Sequence, residues 1–245
     1  MRDLKRYEQD YQELPFEKIQ ARYRQKKVIE FLTRIKPAAL LEVGCGLDPL
    51  FNGFADFQRM HVVEPGERFY AEAAARATQR SGVTVHRGTL QEVAPDLSGI
   101  HFDCIVMSSL LHEVDDSNSL LAAARALCSE TTQLHINVPN ANSFHRLLAV
   151  EMGLISSRYE RSATQRLMQQ HSTFDLIALE AMVLRAGFAV VERGSYFVKP
   201  FTHAQMAAMR ASGLLTDALL DGLYAMAARL PEMASEIYVN VKRGG

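Results

Sequence analysis

The residues best suited to chemistry form a short turn after an apolar run, Leu41-Glu42-Val43-Gly44-Cys45-Gly46. Glycines that follow a buried strand let the main chain approach a ligand lying across the strand's carboxyl end. The turn therefore predicts a nucleotide cofactor held at the edge of a sheet, with the segment from Glu42 to Gly46 in contact with it.

The spacing of these glycines does not by itself decide which class of nucleotide cofactor is bound. A dinucleotide fingerprint needs a third glycine at position 49, which is Pro49 here, and this weakens a nicotinamide interpretation. Asp48 precedes that proline and is expected to cap a following helix.

A second candidate is Glu64, the last residue of the apolar string MHVVE, about 20 residues beyond the glycine turn. A carboxylate there can accept hydrogen bonds from both hydroxyls of a ribose. The alternative is a strand-end carboxylate that faces solvent or caps the next helix. Glu64 thus supports a ribose without naming the cofactor.

Histidines near other predicted strand ends are candidates for proton transfer. His112 follows the fourth predicted strand and His145 follows the fifth, and a histidine titrates close to neutral pH. Both are predicted catalytic residues, with capping or packing as the alternative. Tyr11, Asn140 and His171 are predicted to contact substrate, although tyrosines at helical spacing commonly pack.

Strands and helices alternate along the chain, which predicts a doubly wound, mostly parallel α/β sheet with right-handed crossovers. The predicted strands are 39–43, 60–64, 83–87, 102–109, 131–139, 188–198 and 236–242, and the clearest helices are 16–35, 67–80 and 117–128. Helical patterns over 140–186 and 199–234 exceed what simple connections need, so we expect them to cap a substrate pocket.

Composition restricts the class of protein. The 245 residues carry 27 Lys and Arg against 28 Asp and Glu, which disfavours a nucleic-acid partner. Cys45, Cys104 and Cys128 form no metal-binding pattern, and Asp115-Asp116 is expected to cap a helix, so no metal is predicted.

The absence of a long apolar run predicts no membrane association and a cytoplasmic location. Methionines of the last helical stretch, Met206 among them, leave a homodimer open.

Five strings in order along the chain resemble the motifs of class I S-adenosylmethionine (SAM)-dependent methyltransferases. They are LLEVGCG, VVEPGE, HRGTLQEV, FDCIVMSSLLHEVDD and AGFAVVERGSYF, and the resemblance covers roughly 38–198. It implies a seven-stranded Rossmann-like fold with an antiparallel seventh strand, and SAM as cofactor with S-adenosylhomocysteine (SAH) as product. The residues it implies at the cofactor are Glu42, Gly44, Cys45, Gly46, Glu64, Thr89, Leu90, Ser108 and Ser109. The family's frequent third glycine is replaced by Asp48.

The flanking segments are similar to a bacterial subgroup that methylates small molecules. This resemblance implies transfer of a methyl group to an O or N atom of a sugar or secondary metabolite. It also implies one domain over 1–245, with an N-terminal cap at 1–36 and a SAM-binding core at 37–139. A nicotinamide-dependent (NAD(P)) oxidoreductase and a SAM-binding module without catalysis are the alternatives.

Overall fold

The computed structural model describes residues 3–244, except for the side chains of residues 7, 9 and 11–13. Within these residues seven strands form one sheet in the order β3-β2-β1-β4-β5-β7-β6. The strands are β1 (Ala39–Val43), β2 (Arg59–Glu64), β3 (Val83–Arg87), β4 (Cys104–Ser108), β5 (Gln133–Pro139), β6 (Phe188–Tyr196) and β7 (Glu236–Arg243).

Pairing along the sheet follows the expected pattern. The neighbours from β3 to β5 are parallel, whereas β7 runs antiparallel to both β5 and β6. The predicted doubly wound, mostly parallel sheet with an antiparallel seventh strand is confirmed. Strand order reverses between β1 and β4, and ligands of such sheets bind at the carboxyl ends of the strands beside that point.

The helices are α1 (Leu4–Glu13), α2 (Glu17–Ile35), α3 (Glu67–Ala77), α4 (Leu90–Val93), α5 (Ser117–Leu127), α6 (Phe144–Glu151), α7 (Ala163–Leu167), α8 (Leu176–Arg185), α9 (His203–Ala211) and α10 (Asp217–Ala225). The pattern over 140–186 resolves into three short helices separated by turns. The later segment, 199–234, contains α9, α10 and two 3-10 turns.

Two apolar cores cover the sheet. One lies against α5 and α8 and includes Leu121 and Val183. The other joins Phe31 of α2 to Leu40 of β1 and Val106 of β4. The N-terminal half of α2 continues into a third cluster at the end of β6. Helix α2 therefore spans the sheet from β1 to β6 and reaches its carboxyl edge.

The connection between β1 and β2 differs from the expectation. Pro49 leads into a 3-10 turn, Leu50–Asn52, and no side chain caps that turn. Asp48 instead accepts a hydrogen bond from the Asn52 side chain at 2.7 Å, so its predicted capping role is wrong. Buried Leu50 supplies apolar contacts to the core shared with α2.

No helix among the described residues is long and apolar enough to span a membrane.

Candidate active site

The glycine turn after β1 adopts main-chain angles that favour glycine. Gly44 has a φ of 77° and Gly46 a φ of 55°, both in the left-handed region. The Gly44 N–H donates to the Val63 carbonyl at 2.8 Å, which fixes the turn against the end of β2. The turn is thus held open at the carboxyl edge of the two central strands.

Glu64 lies directly across from this turn. Its Oε2 accepts from the Gly46 N–H at 3.1 Å, and its Oε1 accepts from the Gly66 N–H at 2.8 Å. Burial raises the pKa of Glu64, while these two N–H groups oppose the rise. Oε2 also accepts from the Cys45 thiol at 3.7 Å, whereas Oε1 retains a further lone pair with which it can accept a hydrogen bond from a ribose.

Glu42 lies beneath the turn and is almost fully buried. Its two carboxyl oxygens lie 3.2 and 3.0 Å from the Leu50 main-chain nitrogen. Burial raises the pKa of Glu42 to about 8 despite this hydrogen bond. Burial likewise raises the pKa of the Cys45 thiol, which lies 3.7 Å from Glu64 Oε2. These groups are therefore mostly protonated at neutral pH.

The end of β4 forms the other side of the site. Ser109 has a φ of 57°, and its N–H donates to both the main-chain and side-chain oxygens of Asn137, each at 3.0 Å. The Asn137 amide also donates to Ser108 Oγ at 3.0 Å and to His135 Nε2 at 3.0 Å. This buried amide keeps the strand end in an otherwise unfavourable conformation.

These elements surround a cavity of about 570 Å³ at the carboxyl ends of β1 and β4, where the strand order reverses. Among its lining residues are seven of the predicted cofactor residues, Glu42, Gly44, Cys45, Gly46, Glu64, Ser108 and Ser109. The structure places the other two elsewhere. Thr89 caps α4 at an exposed position, and Leu90 is buried in the core against α5.

The two predicted catalytic histidines lie near the cavity but not on its lining. His112 is 2% exposed, and its Nε2 lies 3.7 Å from Oε1 of Glu113, which lines the cavity. His145 is the second residue of α6, and burial together with the charge of Lys199 lowers its pKa well below the usual value. Their catalytic roles stay predictions.

The predicted substrate residues are dispersed. Asn140 donates to the carbonyls of Glu232 and Ala234 and accepts from the Asn142 N–H, so its amide serves the loop structure. His171 Nε2 lies 2.7 Å from Asp115 Oδ1 at a half-exposed position. Tyr11 is in α1, but its side chain lies outside the described residues. Neither Asn140 nor His171 is among the residues that line the cavity.

Helix α2 belongs to the predicted N-terminal cap, but the residues with which it lines the cavity were not predicted. Five of its charged or amide side chains line the cavity: Glu17, Lys18, Arg22, Arg24 and Gln25. Their helical spacing was visible in the sequence, but charged residues on an amphipathic helix usually face solvent. Only the fold shows that this face of α2 covers the cofactor turn.

Within the described part of the chain, no three His, Cys, Asp or Glu side chains are placed to hold a metal ion.

The sheet order and the site above define a nucleotide-cofactor protein of the doubly wound α/β class. The sequence matches the family model described as "Methyltransferase domain" over residues 16–193. The chain therefore belongs to the methyltransferase domain family, and its prediction as a SAM-dependent methyltransferase is confirmed.

Solved structures of low sequence identity share the fold. The N-methyltransferase NodS from Bradyrhizobium japonicum WM9 in complex with SAH is 13% identical, with a TM-score of 0.59 over 96% of this chain and 91% of that chain. The 1,6-didemethyltoxoflavin-N1-methyltransferase from Burkholderia thailandensis is 16% identical, with a TM-score of 0.57 over 91% and 77%. A putative sarcosine dimethylglycine methyltransferase from Galdieria sulphuraria is 11% identical, with a TM-score of 0.60 over 90% and 85%. No curated protein matches the sequence at the significance level applied.

Proposed function

We propose that the protein transfers the methyl group of SAM to an O or N atom of a small molecule, such as a sugar or secondary metabolite. The observation that carries the donor assignment is Glu64, held by the N–H groups of Gly46 and Gly66 on the wall of the cavity. This is a ribose-binding arrangement at the strand ends where such sheets bind nucleotides.

The residues present fit this donor. Glu64 offers a free lone pair of Oε1 to the ribose hydroxyls, and the glycine turn lines the cavity. On the cavity wall Lys18 places a positive charge that suits the donor's carboxylate, whereas Arg22 and Arg24 are paired with carboxylates of this chain. SAM supplies an activated methyl group, so the protein's main task is to position the accepting atom.

The acceptor is proposed to be small because residues of three helices, α1, α2 and α3, line the cavity beside the strand ends. The solved relative from Burkholderia thailandensis binds 1,6-didemethyltoxoflavin, a small molecule. The net charge of −1 also disfavours a nucleic-acid acceptor. We propose that segments 140–186 and 199–234 cap the acceptor, with His112 or His145 accepting its proton.

The alternatives fit less well. The dinucleotide fold has a sixth parallel strand where this sheet has the antiparallel β7, and Pro49 replaces the third glycine of the fingerprint. A binding module without catalysis would leave the buried histidines beside the cavity without a role.

Calorimetric titration of the full chain with SAH, NADH and NADPH tests the donor site. SAH is expected to bind, and Glu64→Gln is expected to weaken it about tenfold or more, as loss of a charged hydrogen-bond acceptor does. Glu67→Gln is the matched control, because Glu67 is exposed and its ion pair with Arg87, at 3.6 Å, lies at the surface. Nicotinamide binding in place of SAH would reject the proposal.

A further inference from the structure

A row of polar side chains crosses four strands of the sheet. Strand pairing places Ser108 of β4 opposite Asn137 of β5, His135 opposite Asn240 of β7, and Asn240 opposite Glu192 of β6. His135 and Asn137 are 0% exposed, and Asn240 is 1% exposed. Apolar side chains of similar volume fill a buried sheet face at least as well as polar ones. Packing alone therefore does not account for this row.

Hydrogen bonds run continuously along the row. Asn240 Nδ2 donates to Glu192 Oε2 at 2.9 Å, and Asn240 Oδ1 lies 2.7 Å from His135 Nδ1. The other ring nitrogen, His135 Nε2, lies 3.0 Å from Asn137 Nδ2. Asn137 Nδ2 also donates to Oγ of Ser108 at 3.0 Å, and Ser108 lines the cofactor cavity. The row thus joins β6, at the edge of the sheet, to the cavity.

The charge of Glu192 sets the direction of these hydrogen bonds. Burial alone would raise the pKa of Glu192, but Arg34 and Asn240 lower it, so the carboxylate is ionised and only accepts. Asn240 therefore turns its NH₂ group toward Glu192 and its oxygen toward His135. Burial lowers the pKa of His135 to about 4, so the ring is neutral at pH 7. Facing an oxygen, the neutral ring carries its hydrogen on Nδ1 and leaves a lone pair on Nε2.

That lone pair in turn fixes the side-chain amide of Asn137. Because Asn137 Nδ2 faces the lone pair of His135, Asn137 Oδ1 is free to accept from the Ser109 N–H at 3.0 Å. Ser109 has a φ of 57°, which a serine adopts only at a cost. The opposite tautomer would place the Nε2–H of His135 against an N–H of Asn137. Flipping the amide to avoid this would set its NH₂ group against the Ser109 N–H.

We propose that His135 is a positioning residue of the donor site, which acts through Asn137 to hold Ser108 and Ser109 in the arrangement that binds SAM. His135 itself does not line the cavity, whereas both serines do. The inference goes beyond the proposed function, because it concerns how the sheet holds the donor site and does not depend on which molecule accepts the methyl group.

The tautomer is measured on the full chain with ¹⁵N-labelled histidine, by two-bond ¹H–¹⁵N NMR correlation at pH 7. The ring of His135 is expected to show a protonated Nδ1 and an unprotonated Nε2. Its signals are identified by their absence from His135→Gln. This measurement on the wild type needs no substitution to preserve the fold.

The coupling to the donor site is measured by calorimetric titration with SAH. His135→Phe keeps a ring that can stack with Phe31 and Tyr238, whose centroids lie 5.3 and 5.7 Å from that of His135, but it removes both nitrogens. His135→Gln keeps one donor and one acceptor. His61→Phe is the matched control, because His61 of β2 stacks on His86 and lies outside the row. Where His135→Phe does not fold, His135→Leu replaces it.

His135→Phe is expected to weaken SAH binding about tenfold, and His135→Gln to stay within about threefold of the wild type. His61→Phe is expected to bind SAH as the wild type does. A wild-type His135 ring protonated on Nε2, or unchanged SAH affinity in His135→Phe, would overturn the positioning role and leave the donor site intact. Absence of SAH binding by the wild type would reject the donor site itself, and the positioning role with it.

Discussion

The carboxyl group of Glu42 lies 3.0 Å from the main-chain nitrogen of Leu50 and joins the end of β1 to the 3-10 turn that replaces a helix. Burial raises the pKa of Glu42 to about 8, and the nearby Glu64 and Asp48 add to the effect. The group is therefore neutral in the folded chain under conditions where it is ionised in the unfolded chain.

This difference predicts a pH-dependent stability. Between pH 4.5 and about 8 the folded chain holds a proton that the unfolded chain has released, so the contribution of Glu42 to stability falls as the pH rises. Glu42→Gln removes this titration. Relative to the wild type, its free energy of unfolding should rise between pH 5 and 8 by up to a few kcal/mol.

Urea denaturation at pH 5, 6.5 and 8 measures this. The exposed Glu67→Gln variant should track the wild type at every pH. A constant difference between Glu42→Gln and the wild type across the range would show that Glu42 is ionised in the folded protein.

Gly66→Ala should weaken cofactor binding without straining the main chain. The φ of Gly66 is −66°, which alanine adopts readily, but a Cβ there would lie 2.5 Å from Glu8 Oε1 and 3.0 Å from Glu64 Oε1. Glu8 also accepts from the Arg68 N–H at 3.1 Å, so the added methyl group displaces α1 from the start of α3. SAH affinity should fall about tenfold, or roughly 1.4 kcal/mol.

Gly99→Ala provides the opposite case. Gly99 has a φ of 85°, and a Cβ there would meet nothing within 4 Å. Its substitution should cost about 1 kcal/mol of stability through main-chain strain and leave SAH affinity unchanged. Calorimetry and thermal melting of both variants measure the two effects. Equal SAH affinity for Gly66→Ala and the wild type would mean that α1 does not restrain the donor site.

Much of the fold was predictable because the apolar runs that form strands, and the glycines and prolines that end them, are local features of the sequence. The strand Ala39–Val43 was predicted at its observed bounds, and Glu64 ends β2 as expected. The antiparallel direction of β7 came from family resemblance, and its position between β5 and β6 was not predicted, since no local pattern specifies which strands pair. Asp48 was predicted as a cap because its type favours that role, but Pro49 directs the chain into a 3-10 turn.

The candidate site was predictable in part for the same reason. The turn residues and the ends of β2 and β4 meet at one edge because they follow parallel strands. Asn140 has a side chain suited to ligand contact, yet its partners, the carbonyls of Glu232 and Ala234, come from a distant part of the chain. The wall formed by α2 depends on how that helix crosses the sheet, which its own sequence does not encode.

Arg24 and Arg22 are two residues apart on α2 but should differ greatly in their effect on stability. Arg24 bridges the buried carboxylates of Glu17 and Glu236, whereas Arg22 pairs with exposed Asp217. Burial alone would raise the pKa of Glu17, but Arg24 and His203 lower it to about 2, so its charge persists.

Arg24→Met leaves these charges uncompensated and should cost about 3–5 kcal/mol, while Arg22→Met should cost less than about 1 kcal/mol. Urea denaturation at pH 7 measures both. Adding Glu236→Gln to Arg24→Met should restore part of the loss. An Arg24→Met variant as stable as Arg22→Met would show that the carboxylates of Glu17 and Glu236 are hydrated in solution.

His112 is the candidate base whose role is most directly measurable. It is buried next to Glu113, which lines the cavity. Its carbonyl accepts from the N–H groups of His171 at 2.9 Å and Ser172 at 3.2 Å. The main chain thus anchors the residue whatever its side chain, so His112→Gln should fold and bind SAH normally. As loss of a general base, it should reduce kcat/KM for methyl transfer by about 10²–10⁴.

The measurement is SAH formation with the first acceptor that the wild type methylates. His61→Gln is the control, because His61 of β2 pairs with His86 of β3 and does not line the cavity. A His112→Gln variant within about threefold of the wild type would assign this histidine to packing. In that case His145 of α6, whose pKa is lowered by burial and by the charge of Lys199, would be the remaining candidate to accept the proton.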